Sequence, residues 1–167
     1  MSKSPKKRKK ESRNVSLILH NIRSVHNVGS IFRTSDAAGI SKIYVTGYTP
    51  SPIDRFGKVR SDIAKTALGA EKTIPWEYIK TPITLIKKLR LEGFQVLAIE
   101  QHKNSVDYKK VKLHYPIAIL VGNEVSGISK SLLDKCDIVA EIPMRGEKES
   151  LNVGVAFGIA LFRILNI

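Results

Sequence analysis

Short apolar runs alternate along the chain with longer segments whose apolar residues recur at helical spacing. Val15–Leu19, Ile43–Thr46, Phe94–Ile99, Ile117–Val121 and Ile138–Ile142 read as strands; Val15–Leu19 looks buried, and the continuous apolar runs Phe94–Ile99 and Ile117–Val121 have the pattern of strands covered on both faces. Between them the sequence predicts helices from Asn27 to about Ala38, Ser61 to about Leu68, Pro82 to Glu92, Ser129 to about Lys135 and Leu151 to about Leu165. Asn27 can cap the first of these and Gly39 can end it. Gly69 would stop the second, and Thr81–Pro82 and Gly93 frame the third. His20–His26 reads as a loop, and Gly47–Lys58, rich in Gly, Pro and Tyr, as a long surface loop. Strands alternating with helices predict one α/β domain with a largely parallel sheet flanked by helices. In the last helix, Gly154 and Gly158 lie one turn apart, which suits a close backbone approach in the core or at a subunit interface.

Three polar islands interrupt this pattern: Asn27–Gly39 (NVGSIFRTSDAAG), Leu120–Ile128 (LVGNEVSGI) and Ile142–Phe157 (IPMRGEKESLNVGVAF). Each places glycine and polar or charged side chains where a strand or helix would otherwise continue. About 100 residues separate the first from the last, so they act together only if the fold gathers them. In open α/β sheets, loops at the carboxyl ends of strands are where ligands collect.

Composition narrows the partners. The chain has 167 residues, enough for one domain, and a formal charge of +13. Residues 1–13 (MSKSPKKRKKESR) contribute +6 of this and read as a disordered basic arm, so the folded part is basic too. Polyanions are the natural partners of such a surface, nucleic acid before anionic lipid, because neutralised phosphates release counterions. The same KKRKK run also fits a nuclear-localisation signal. No apolar run approaches the ~18 residues of a membrane span, and no apolar stretch follows the basic start as in a secretory signal. A lone cysteine, Cys136, makes a reducing cytoplasm the expected compartment and reads as a packing residue. His20, His26, His102 and His114 have no zinc-like spacing, so no metal is expected.

Several island residues have both an ordinary and a chemical reading. Arg33 stands among Ile31, Phe32 and Ala37, with Ser30 on the same helical face. It is either a snorkelling surface arginine or a planar donor fork for a phosphate or ribose hydroxyl. Asn27, Ser150 and Asn152 can each be simple helix caps. Gly122 and Gly127 permit close backbone approach, and Glu124 between them is the less ordinary residue. The segment is neither a P-loop nor a GxGxxG turn. Trp76, Tyr78 and Tyr48 can stack nucleobases, although core or loop packing is the more ordinary explanation of all three.

Taken together, the three islands resemble the SpoU (TrmH-like) family of RNA ribose 2′-O-methyltransferases, part of the SPOUT superfamily. The match rests on Asn27 and Arg33, on Gly122, Glu124, Gly127 and Ile128 in a GxExxG pattern with a following apolar residue, and on Ile142-Pro143-Met144 with Ser150-Leu151-Asn152-Val153, Ala156 and Ile159. All occur in order, and the likeness covers Val15 to the C-terminus.

The resemblance implies a deep C-terminal trefoil knot, which no periodicity predicts because knots are rare. It implies S-adenosylmethionine bound by backbone groups of three loops, with Ile99, Gly122, Ile142 and Leu151 as contacts. It implies methyl transfer to a ribose 2′-hydroxyl of structured RNA, tRNA or rRNA, by a homodimer. In that scheme Arg33 binds a phosphate or activates the hydroxyl, Asn27 orients Arg33, and Glu124 organises the site. Ser150 and Asn152 fix the third loop and the target ribose. A noncatalytic knotted RNA-binding module is the alternative. Many relatives carry a further RNA-binding domain, so substrate choice here would fall to residues 1–13, to the Gly47–Lys58 loop and to the dimer surface.

Overall fold

A computed structural model describes residues 13–167. The basic run expected as an arm therefore lies, up to residue 12, outside the described residues. Arg13 belongs to the folded part, where its guanidinium donates to the Leu165 carbonyl.

Seven strands form one sheet: β1 (Val15–His20), β2 (Lys42–Thr46), β3 (Trp76–Ile79), β4 (Gln95–Ile99), β5 (Val106–Asp107), β6 (Ile117–Val121) and β7 (Ile138–Glu141). Their order is β3-β2-β1-β6-β4-β7-β5 and every pairing is parallel. Among the described residues six α-helices accompany the sheet: α1 (Val25–Ala38), α2 (Ser61–Ala67), α3 (Ala70–Thr73), α4 (Pro82–Leu91), α5 (Lys130–Leu133) and, after the last strand, α6 (Val153–Leu165).

Strand alternation divides the core into two layers. Leu17 and Leu19 of β1, with Ile117, Ile119 and Val121 of β6, face α1, α2, α3 and α6. Ile18, Ala118 and Leu120 point the other way, onto Leu85, Ile86 and Leu89 of α4 and Leu132 and Leu133 of α5. Both faces of β1 and β6 are buried, which is why these strands read as unbroken apolar runs.

Some boundaries differ from the sequence expectation. α1 starts at Val25, because the Ser24 hydroxyl, not Asn27, accepts the Asn27 N–H at 3.2 Å. Asn27 thus sits inside the first turn with its side chain free for other partners. The periodicity gave no hint of β3, β5 or α3. β3 and β5 are edge strands of four and two residues, too short and too half-exposed to show a period. Gly69, expected only to end α2, also opens α3, at φ 96°. Gly158 does not require a glycine: an added Cβ would lie 3.7 Å from Thr34 on α1, an ordinary contact.

Candidate active site

The parallel register brings four loops to one edge of the sheet. Leu19 of β1 aligns with Val121 of β6, Ala98 of β4 with Leu120, and Ile99 with Ala140 of β7. The segments after β1, β4, β6 and β7 therefore emerge side by side at the strands' carboxyl ends, as expected for a ligand site in an open sheet.

Glu124 is the meeting point. One carboxylate oxygen accepts the Arg23 N–H at 3.0 Å; the other accepts the Ser24 N–H and the Asn27 side-chain amide, each at 3.1 Å. The carboxylate thus sits at the positive N-terminal end of α1. Burial opposes its ionisation, but the N–H groups of Arg23 and Ser24, its own amide and Asn27 together hold its pKa below the ordinary glutamate value. The Asn27 carbonyl oxygen in turn accepts from the Asn152 amide at 3.1 Å. Asn152 caps α6, its oxygen accepting the Gly154 and Val155 N–H groups at 2.9 and 3.3 Å. One polar chain, Glu124–Asn27–Asn152, joins the starts of α1 and α6 to the loop after β6.

A cleft of about 560 Å³ opens beside this chain. Ile99, Gly122, Ile142 and Leu151, the expected cofactor contacts, all line it, as do Glu124 and Ser150. Apolar side chains form one wall, while Glu100, Glu124, Glu141 and Glu149 face the same space with Lys130 and His102. In so basic a protein this local excess of carboxylates suits a ligand that carries positive charge. Close packing fixes the cleft's floor. A side chain at Gly122 would overlap Ile128, and one at Gly127, which has φ 66°, would come within 2.6 Å of the Glu100 carboxylate. Glu100 braces that turn by accepting the Ile128 N–H at 2.9 Å.

Arg33 is placed elsewhere. It lies about 9 Å further along α1 than Asn27 and about 240° around it. It lines a second recess, of about 530 Å³, with Ser30, Thr34, Lys65 and Phe162. The expectation that Asn27 orients Arg33 is therefore corrected, since the Asn27 amide is committed to Glu124 and Asn152.

Asn123, overlooked in the sequence, organises the loop from within. It is 7% exposed, and its oxygen accepts the Val125 and Ser126 N–H groups at 2.8 and 2.7 Å. Its amide donates to the Asn21 carbonyl and to the Tyr48 hydroxyl. The available signal was a polar side chain wedged between Gly122 and Glu124 at the end of a fully apolar strand. Among the described residues no group of three or more His, Cys, Asp or Glu side chains is arranged to hold a metal ion. Nor is any helix among them long and apolar enough to cross a membrane.

The profile of the SpoU rRNA Methylase family matches residues 14–162, nearly the whole domain and all three polar islands. The chain belongs to the SpoU rRNA methylase family. Similar proteins include a Staphylococcus aureus member of the TrmH family of tRNA/rRNA methyltransferases, 32% identical over 157 residues, 94% of this chain and 60% of that one. The chain thus spans about 60% of the length of such curated relatives. The fold is similar to the AdoMet-bound rRNA methyltransferase from Sinorhizobium meliloti (TM-score 0.83, 32% identity, 92% of this chain and 56% of that one). It is similar also to the A. aeolicus TrmH/SpoU tRNA-modifying enzyme (TM-score 0.80, 28% identity, 92% and 75%). For a SpoU protein, the cleft and the polar chain beside it are the features to explain.

Proposed function

We propose that this SpoU protein transfers a methyl group from S-adenosylmethionine to a ribose 2′-hydroxyl of tRNA or rRNA. The observation that carries this reading is the convergence of Asn27, Glu124 and Asn152, one from each island of the sequence, in a single hydrogen-bonded chain whose Glu124 lines the cleft. The cleft's composition fits the donor: apolar Ile99, Ile142 and Leu151 for the adenine, exposed loop backbone for its polar edge, and carboxylates for the positive sulfonium and ammonium groups. Bound there, S-adenosylmethionine would supply an electrophilic methyl group. The residues' own work is positioning and charge stabilisation. Glu124 holds the N-terminus of α1 and the loop after β6 in fixed relation, and Ser150, which lines the cleft, would contact the incoming ribose.

Arg33 requires a second copy of the chain. Its recess is distinct from the cleft within one subunit, yet it borders Phe162 on an exposed apolar stripe of α6 that also includes Val155 and Ile159. Packing that stripe in a homodimer would let Arg33 of one copy serve the cleft of the other. There its planar fork would hold the phosphate next to the target ribose and favour loss of the hydroxyl proton; a guanidinium holds its own protons too tightly to be a good base. The trefoil knot belongs to the same reading. It is supported by β7 inserting between β4 and β5 before the chain crosses back to lay α6 on α1.

Incubation with methyl-labelled S-adenosylmethionine and total RNA, followed by nuclease digestion, tests this directly. The expected product is a 2′-O-methylated nucleotide. Label found on a base, or no label despite measurable cofactor binding, would overturn the proposal.

A further inference from the structure

Three aromatic rings stand in solvent: Tyr48 and Tyr78 are tied to the segment after β2 beside the cleft, and Phe56 lies further along that same segment. Tyr48 is 59% exposed, Phe56 72% and Tyr78 48%, and none joins either buried cluster, whereas their neighbour Trp76 packs against the core. Leaving a Phe side chain in water forgoes the stabilisation that its burial would give. Nor are the two tyrosines loose. The Tyr48 backbone N–H donates to the Asn21 side chain at 3.1 Å, and its hydroxyl accepts from Asn123 at 2.7 Å. Tyr78 donates its hydroxyl to the Gly47 carbonyl at 2.9 Å. Each ring is pinned through its polar end while much of the side chain stays open. Phe56 sits at the tip of the loop between Ile53 and Val59, where Asp54 accepts the Phe56 and Lys58 N–H groups at 2.8 and 2.9 Å.

Cations accompany the rings. The Arg55 guanidinium lies 4.7 Å from the Phe56 centroid, and Lys58 follows at the same loop tip. Arg23 emerges next to Glu124 through its backbone contact. None of the three forms an ion pair among the described residues. Ordered rings with open faces, interleaved with unpaired cations, match the needs of unpaired nucleotides: bases stack on the rings and phosphates meet the cations. A duplex offers its phosphates but keeps its bases stacked internally, so it would use only half of this surface.

We infer that Tyr48, Phe56 and Tyr78 form a base-stacking platform that binds an unpaired segment of RNA beside the modification cleft. The platform reports to the cleft through the Tyr48–Asn123 hydrogen bond, one residue from Glu124. This rests on the methyltransferase reading only for the nature of the partner, and it adds that the target lies in a loop or other single-stranded stretch.

The test needs no methyl donor. The full chain is titrated with a short RNA hairpin carrying 2-aminopurine in its loop, and with a fully paired duplex carrying the same base. The loop base should be quenched on binding, and the duplex should bind about tenfold more weakly. Phe56→Ala and Tyr78→Ala should each weaken hairpin binding by about tenfold and reduce the quench, in the range expected for loss of one base–aromatic stack. Duplex binding should be unmoved. Tyr48→Phe keeps the ring but loses its tether to Asn123, and should retain more hairpin binding than Tyr48→Ala. Equal affinity for hairpin and duplex, or unchanged hairpin binding by the alanine variants, would overturn the platform. Unchanged binding with altered sedimentation would assign the rings to a protein contact instead. If the platform behaves as stated but RNA acquires no methyl label, the methyltransferase reading alone fails.

Discussion

The Glu124 junction and the Arg33 recess lie on the same helix and have opposite characters. Every oxygen of Glu124 is engaged by donors from the start of α1, and Asn27 and Asn152 extend the network to the start of α6. Arg33 is exposed, and among the described residues it has no hydrogen-bonding partner. A satisfied network positions; a free guanidinium awaits a ligand. The contrast fits the proposal above: the junction is complete in a single chain, whereas the recess would acquire a function only on meeting RNA or a second copy.

Removing the free cation should have the largest effect and leave the junction untouched. Arg33→Ala is expected to reduce methyl transfer by at least about 100-fold, comparable to loss of one preorganised transition-state donor. The melting temperature and S-adenosylmethionine binding should stay near the parental values, because no internal contact is lost. Arg33→Lys should recover little, since a point charge does not replace the planar fork. Turnover by Arg33→Ala near the parental rate would remove Arg33 from the site altogether.

Breaking the junction should reverse that signature, costing stability as well as activity. Glu124→Ala leaves the Arg23 and Ser24 N–H groups and the Asn27 amide without their acceptor, a loss of about 2–3 kcal/mol by the usual worth of charge-assisted bonds. For a domain of this size that corresponds to a fall in Tm of roughly 4–12 °C. Acid titration sharpens the point. Because Glu124 ionises more readily folded than unfolded, its contribution is present above the ordinary glutamate pKa and is lost as pH falls through the lower folded value. Part of the acid limb of the stability–pH curve should therefore flatten in Glu124→Gln. A limb that coincides with the parent would mean that the donors around Glu124 do not favour its charge.

The same contrast explains what could be read from the sequence. β1, β4 and β6 were legible because both their faces are buried, so burial alone sets their composition. β3 and β5 were not, because as short edge strands they carry Glu77 and Tyr78, or Val106 and Asp107, with one side open to water. Glu124, Asn27 and Asn152 stood out as polar residues in apolar surroundings, and their chemistry foretold that they would need partners. Which partners they chose was hidden. Ser24 took the capping position and so freed Asn27 for Glu124, an outcome set by three-dimensional register and not by local propensity. The separation of Arg33 from Ser150 was hidden for a related reason. Sequence order puts Arg33 in the first island, but helical geometry rotates it away from the residue that opens that island.

The finest cut through the comparison is at Asn152, which serves both a helix and the junction. Its oxygen caps α6 while its amide donates to Asn27. Asn152→Ser keeps a capping oxygen but is too short to reach Asn27. Asn152→Ala removes both roles, with about 1 kcal/mol expected from the cap alone. If the link to Asn27 merely decorates the surface, Ser should match the parent in melting temperature and in methyl transfer. If instead the link holds the Asn27 amide with its nitrogen toward Glu124, Ser should melt within about 0.5 kcal/mol of the parent, as capping residues exchange at little cost, yet transfer methyl groups more slowly. The split matters because a loss shared equally between folding and turnover would return Asn152 to the role of a plain helix cap. A loss confined to turnover would show that the junction is tuned for the reaction and not only for the fold.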